Sequence, residues 1–179
     1  DWGAAAAYAA ASLAPDRVRR LVAVALAHPS GFKPGVRDMW AARHFATFRA
    51  RSAPQRFVAR DFKGLRKIYR RWSPQWGFAE SDLADIKRCL SSPASVDAVF
   101  GYYRAVTRKP SAVMRRKIDV PTTAIAGESD GAIRVDVFTE AASRFTGPYE
   151  VVVMPGGHFP HREHPEIFLQ HLLAALALG

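Results

Sequence analysis

Met154-Pro155-Gly156-Gly157-His158-Phe159-Pro160 is the stretch on which the reading of this chain turns. It follows Tyr149-Glu150-Val151-Val152-Val153, where β-branched residues crowd together and a Pro-Gly-Gly turn closes the run, the pattern of a short buried strand. Beyond it, His164-Pro165-Glu166 opens an apolar helix through Ile167, Phe168, Leu172, Leu173 and Leu176, with Pro165 suited to the first turn. A histidine on a glycine-bounded loop between strand and helix is held in place yet reachable by solvent and substrate. General-base chemistry needs both properties; an ordinary surface histidine needs neither.

The same alternation recurs upstream. Val120 to Ala126 reads as a strand, Gly127 to Gly131 as a turn-rich loop, and Ile133 to about Phe145 as a helix. Earlier still, an alanine-rich stretch from about Gly3 to Ala14 is helical until Pro15 stops it. Leu21 to Leu26 is a continuous apolar run, typical of a strand covered on both faces, and His28-Pro29 ends it. Alternation of this kind implies an α/β fold, a parallel sheet wrapped by helices.

From Ser30 to about Lys117 strand signals vanish and helical spacing takes over. Val58, Phe62, Leu65, Tyr69 and Trp72 form an apolar row, with Arg56, Arg60, Lys63, Lys67 and Arg70 as a basic row beside it. Ser81-Asp82 reads as the cap and first turn of a helix running to about Leu90. Ser95 heads another, in which Val96, Val99, Phe100 and Tyr103 share a face. The block is a helical insertion, which divides the chain into 1–29, 30–117 and 118–179.

The 179 residues suit one domain with an inserted subdomain, and 49% apolar with 23% charged residues fits a globular protein. A single cysteine, Cys89, excludes an internal disulfide and a cysteine-rich zinc site, so a reducing compartment is the default. There is no basic-then-apolar leader and no apolar run of roughly 18 residues. The expectation is a cytoplasmic protein with no membrane partner. The net charge of +10 concentrates between Arg43 and Trp72, where ten Lys or Arg face one acid, Asp61. Its helical spacing fits a solvated basic face better than a nucleic-acid interface.

Ligands of an open parallel sheet bind beyond the carboxyl ends of its strands, where Asp130 and His158 fall. Asp130 could accept the proton of one imidazole nitrogen and leave the other as base, or it could merely turn the chain within Glu-Ser-Asp-Gly. Glu128 and Asp136 are rival acids. His28, His161, His164 and His171 come with no set of acid or cysteine ligands, so no metal site is expected.

A nucleophile is supplied by the first three residues. Asp1-Trp2-Gly3 resembles the nucleophile elbow of the α/β-hydrolase fold, in the aspartate version found in epoxide hydrolases and haloalkane dehalogenases. The sharp turn of that elbow requires a very small residue two positions after the nucleophile, and Gly3 meets the need. Leu21 to Pro29, Val120 to Gly131 and Gly157 through Glu166 also resemble the family, and the insertion sits where its helical cap does. The Gly-His or Gly-Gln that precedes the elbow in the family is not in this chain.

The resemblance implies the C-terminal half of an α/β-hydrolase fold with an inserted all-helical cap, and a cofactor-free hydrolase. Asp1 would form an alkyl ester, His158 oriented by Asp130 would activate water to cleave it, and the Trp2 N–H would supply half of an oxyanion hole. Phe100-Gly101-Tyr102-Tyr103-Arg104-Ala105 resembles the segment bearing the second of two epoxide-opening tyrosines, which makes Tyr103 a proton donor. His44 stands where the first would be, and an imidazolium there could also donate. The substrate would be a small hydrophobic epoxide or, by haloalkane dehalogenase chemistry, a halide held by the Trp2 indole. His44-Phe45 with a cap tyrosine also resembles fluoroacetate dehalogenases, yet the arginines those enzymes carry one and four positions after the nucleophile are Trp2 and Ala5 here. A homodimer is compatible. With strands preceding the elbow absent, Leu21 to Leu26 would present an unpaired apolar edge, and the 179 residues alone are expected to turn over little or nothing. An inactive, non-catalytic fragment is the rival reading.

Overall fold

The computed structural model describes residues 1–31, 33–106 and 111–177. Helix α1 (Trp2–Leu13) leads into strand β1 (Leu21–Val24). Five helices follow: α2 (Val36–Ala41), α3 (His44–Phe48), α4 (Ala53–Trp72), α5 (Glu80–Cys89) and α6 (Pro93–Ala105). The chain then returns through β2 (Thr122–Gly127), α7 (Val135–Glu140), β3 (Tyr149–Met154), α8 (Pro160–Glu163) and α9 (Pro165–Ala177). The strands pair in parallel in the order β1-β2-β3, with Leu21 beside Thr122 and Thr122 beside Tyr149.

Position in the sheet decides burial, and the sequence expressed this only in part. Central β2 is buried at every residue. Strand β3, expected to be buried, lies at the rim, and Val153 is 47% exposed. β-branched residues favour strands in either place, so composition alone does not separate rim from centre. Strand β1 is likewise shorter than its apolar run, because Ala25 takes a positive φ of 56° and ends it before Leu26. Its buried residues alternate, so it is not covered on both faces.

Small side chains let α1 lie close to the sheet. Tyr8 and Ala11 are fully buried with Leu21, Ala23, Ile118, Val120 and Phe145. The Tyr8 hydroxyl donates to the Leu26 carbonyl at 3.0 Å, so the one polar atom of that ring is satisfied. A second cluster joins Ala124 and Ala126 of β2 to Val137, Phe138 and Ala141. The helix expected over 133–145 is shorter than its span: α7 passes into a 3-10 turn at Ala141–Arg144.

The helical block departs from its sequence reading in three places. α4 is broken, because Ala59 leaves helical geometry and Arg60, Asp61 and Phe62 take positive φ. Its second half buries Leu65, Ile68, Tyr69 and Trp72, as the apolar row requires. Asp82 does mark a helix start, but by accepting from the Ala79 N–H at 2.8 Å; Ser81 is not the cap. Ser92, not Ser95, caps α6, accepting from the Ser95 N–H at 3.1 Å. On that helix Val96, Phe100 and Tyr103 are buried and Val99 is exposed.

The block meets the sheet through α4. Phe159 stacks on Tyr69, 4.4 Å between centroids, and packs with Leu65 and Leu83. This joint sits one residue from His158.

Candidate active site

Two loops at the carboxyl ends of β2 and β3 and the start of α1 supply the site. Asp1 stands at the start of α1, where its carbonyl accepts from the N–H groups of Ala4 (2.8 Å) and Ala5 (3.2 Å). Its main-chain nitrogen donates to the carbonyl of Val24 at 3.1 Å, which fixes it beyond the end of β1. Asp130 follows β2 and His158 follows β3.

These three side chains meet. His158 Nδ1 lies 2.8 Å from Asp130 Oδ2, and Nε2 lies 3.3 Å from Asp1 Oδ2. The side chains of His158 and Asp130 are 3% and 1% exposed, whereas that of Asp1 is 40% exposed. The histidine is therefore not open to solvent as its loop suggested; access runs past Asp1. Asp130 is both things the sequence allowed. One oxygen faces the imidazole while Oδ1 accepts from the N–H groups of Ala132 (2.6 Å) and Ile133 (3.1 Å). The rival acids lie elsewhere: Glu128 is exposed, and Asp136 is paired with Arg134.

The roof of the site comes from the helical block. The carbonyl of Trp72, an unspent acceptor at the end of α4, takes the N–H of Gly131 (3.0 Å) and that of His158 (3.1 Å). One atom thus ties the acid loop to the histidine loop. Close approach makes both glycines necessary: a Cβ on Gly131 would strike the Arg71 carbonyl, and one on Gly157 would lie 2.5 Å from Ser73 Cα. The Trp72 ring stands edge-on to His158, centroids 4.8 Å apart.

Trp2, His44 and Tyr103 gather beside it. Trp2 and Tyr103 meet at 90° with centroids 5.3 Å apart. Burial raises the Tyr103 pKa above its ordinary value, with Trp2 opposing the rise. His44 is 8% exposed, ringed by Phe45, Phe48, Trp72 and Tyr103. Burial lowers its pKa to about 4, and nearby Arg71, His158 and Arg43 add to the fall, against a backbone hydrogen bond to Ala41. The imidazolium considered for this position is therefore replaced by a neutral imidazole at pH 7.

Sequence reasoning missed Arg71, Trp72 as a site residue, Ser73 and Glu163. Trp72 was visible only as an apolar helix position, and nothing distinguished Arg71 from its basic neighbours. Arg56, Arg60, Lys63, Lys67 and Arg70 are all exposed, as a solvated basic row requires, and Arg56 and Lys67 also border a cavity of about 360 Å³ together with His44 and Arg71. Among the described residues no group of acids, histidines or cysteines could hold a metal ion.

An aspartate at the start of α1 converges with an aspartate and a histidine from two loops of a parallel sheet, in accord with the family model that matches residues 1–171, described as the alpha/beta hydrolase family. The chain belongs to the alpha/beta hydrolase family. Over 181 aligned residues it is 24% identical to the AB hydrolase superfamily protein YfhM of Bacillus subtilis, covering 98% of this chain and 63% of that protein. A proposed epoxide hydrolase from Klebsiella pneumoniae superposes with a TM-score of 0.79 at 28% identity, covering 98% of this chain and 64% of the other. A mutant epoxide hydrolase from Bacillus megaterium gives 0.80 at 20% identity, covering 99% and 67%. The chain thus spans about two thirds of the length of these relatives. Among the described residues, no helix is long and apolar enough to cross a membrane.

Proposed function

We propose that this alpha/beta hydrolase opens epoxides through an ester on Asp1, with residues 30–117 as the cap. The observation that carries the reading is one buried imidazole set between two carboxylates, 2.8 Å from Asp130 and 3.3 Å from Asp1. A carboxylate oxygen of Asp1 attacks an epoxide carbon, and the carbon–oxygen bond of the ring breaks. Tyr103, a neutral phenol at pH 7, gives the departing oxygen a proton. The neutral His44 lends a hydrogen bond.

His158 then takes a proton from water, and the oxygen attacks the carboxyl carbon of the ester. The acyl carbon–oxygen bond breaks, the Trp2 N–H stabilises the charge on the tetrahedral oxygen, and the diol oxygen takes the proton from the imidazolium; the proton left on the Asp1 carboxyl passes through solvent to the Tyr103 phenolate, which restores both groups. Asp130 stabilises that imidazolium and holds the ring's tautomer. Likeness to the Klebsiella pneumoniae and Bacillus megaterium proteins supports epoxide chemistry.

The test is a rapid-quench reaction of protein expressed from its complete gene with styrene oxide and, separately, 1-bromobutane. An adduct on Asp1 seen by mass spectrometry with the epoxide supports the proposal. An adduct with the bromoalkane alone would transfer it to haloalkane dehalogenation, and no adduct with either would end it. The 179 residues by themselves are expected to show little turnover, since β1 has no strand on its outer side among the described residues. Robust hydrolysis by that piece would refute this.

A further inference from the structure

Glu163 ends the short helix α8 and takes no part in the chemistry proposed above. Its Oε1 accepts from the N–H groups of Gly157 (2.9 Å) and Phe159 (3.1 Å), and from the hydroxyl of Ser73 (2.7 Å). Oε2 shares the Gly157 N–H at 2.9 Å. The residues on either side of His158 are thus tied to one carboxylate, while the N–H of His158 itself goes to Trp72. Three successive amides of the loop are accounted for without any regular secondary structure.

The carboxylate has no ion-pair partner among the described residues; hydrogen-bond donors alone meet its charge. Ionised carboxylates accept only, and their bonds to N–H are about twice as strong as neutral ones. Ser73 matters for a second reason. It is fully buried, follows α4 directly, and gives its proton to Glu163 while its oxygen faces the Phe159 N–H at 3.4 Å. The helical block and the histidine loop therefore share one acceptor.

We infer that Glu163 is a positioning residue for His158, and that through Ser73 it makes the register of the base depend on the seating of the helical block. The inference rests on the covalent reading above, which separates two half-reactions. Ester formation uses Asp1 and the oxygen donors, and it does not need His158 as base. Ester hydrolysis does, and an ångström of displacement at such a base costs up to about 100-fold. Loss of Glu163 should accordingly slow the second half-reaction and spare the first.

The experiment compares wild-type protein from the complete gene with Glu163→Ala, Glu163→Gln and Ser73→Ala in single-turnover reactions with styrene oxide. In Glu163→Ala, ester hydrolysis is expected to fall about 30-fold, ester formation to stay within about twofold, and the Asp1 adduct to accumulate. The glutamine retains one acceptor oxygen, so Glu163→Gln should recover most of that loss, and Ser73→Ala should slow hydrolysis about threefold. Unchanged hydrolysis, or equal slowing of both steps, overturns the inference. If Glu163→Ala does not fold, Ser73→Ala carries the test by the same criterion. Failure of the wild type to form an adduct would count against the covalent reading instead, so the two failures are distinguishable.

Discussion

Arg71 Nη2 lies 3.0 Å from Nδ1 of His44, and a guanidinium can only donate. Nδ1 must therefore be the unprotonated nitrogen, which leaves the ring proton on Nε2. The Ala41 carbonyl, 3.2 Å from the same nitrogen, would ask for the opposite tautomer. The permanent charge and shorter distance of the arginine contact decide between them. Like the lowered pKa, this makes His44 a neutral N–H donor.

A pH profile follows from that state. Were His44 an acid of ordinary pKa, ester formation would fall as pH rose through about 6.5. With its pKa near 4, the residue is already neutral across the working range. Ester formation measured by stopped flow should thus be level from about pH 5.5 to 8. A decline centred near neutrality would show that a protonated His44 is the acid.

The same burial has a consequence for stability. His28, 1% exposed and accepting the Ser30 N–H at Nδ1, also has its pKa lowered to about 4, mainly by burial. In the unfolded chain both histidines titrate near 6.5. As pH falls below that value the unfolded state gains protons that the folded state cannot, so stability present above it is lost on the way down to about 4. Each histidine should cost on the order of 3 kcal/mol over that span. Urea titrations between about pH 6.5 and 5, above the range where most carboxylates protonate, should show the decline, and His44→Phe should lessen it. A stability independent of pH there would contradict the buried neutral state.

Much of this architecture was legible because local signals and tertiary roles agreed. Alanines and Pro15 bounded α1; the Val120–Ala126 and Tyr149–Val153 runs found two strands; and the Pro-Gly-Gly turn announced the His158 loop. What was not legible arises from main-chain geometry. Trp72 joins the two loops with its carbonyl, an atom every residue has, so its side chain could not advertise the role. Val151 and Val153 have the same side chain in the same strand, yet Val151 packs against the Ala124–Phe138 cluster and Val153 is 47% exposed. Glu163 and Ser73 are 90 residues apart in sequence and meet only once the helical block is seated.

Tyr103 offers a way to separate epoxide from halide chemistry. Its ring lies against Trp2, and its hydroxyl would give a hydrogen bond to the opening ring. Tyr103→Phe removes that donor but keeps the ring packed against Phe45, Phe48 and Trp2. Ester formation with styrene oxide should drop about 100-fold, with hydrolysis of any ester formed unaffected. The change in melting temperature should be small. Ester formation at the wild-type rate would place Tyr103 in packing alone.

Asp130 permits its two duties to be separated. Asp130→Asn can keep a carbonyl oxygen toward Ala132 and Ile133, but then its amide faces His158 Nδ1 as a donor. That forces the proton onto Nε2, the nitrogen that must accept one from water. Ester hydrolysis should fall about 10³–10⁴-fold in a protein of near-native stability. Asp130→Ala loses both duties; the turn's two amides lose their acceptor, at a further cost of about 1–2 kcal/mol. Paired measurements of ester lifetime and urea midpoint therefore have distinct signatures. If the asparagine variant hydrolyses the ester at the wild-type rate, Asp130 only turns the chain, and the orienting acid must be sought elsewhere.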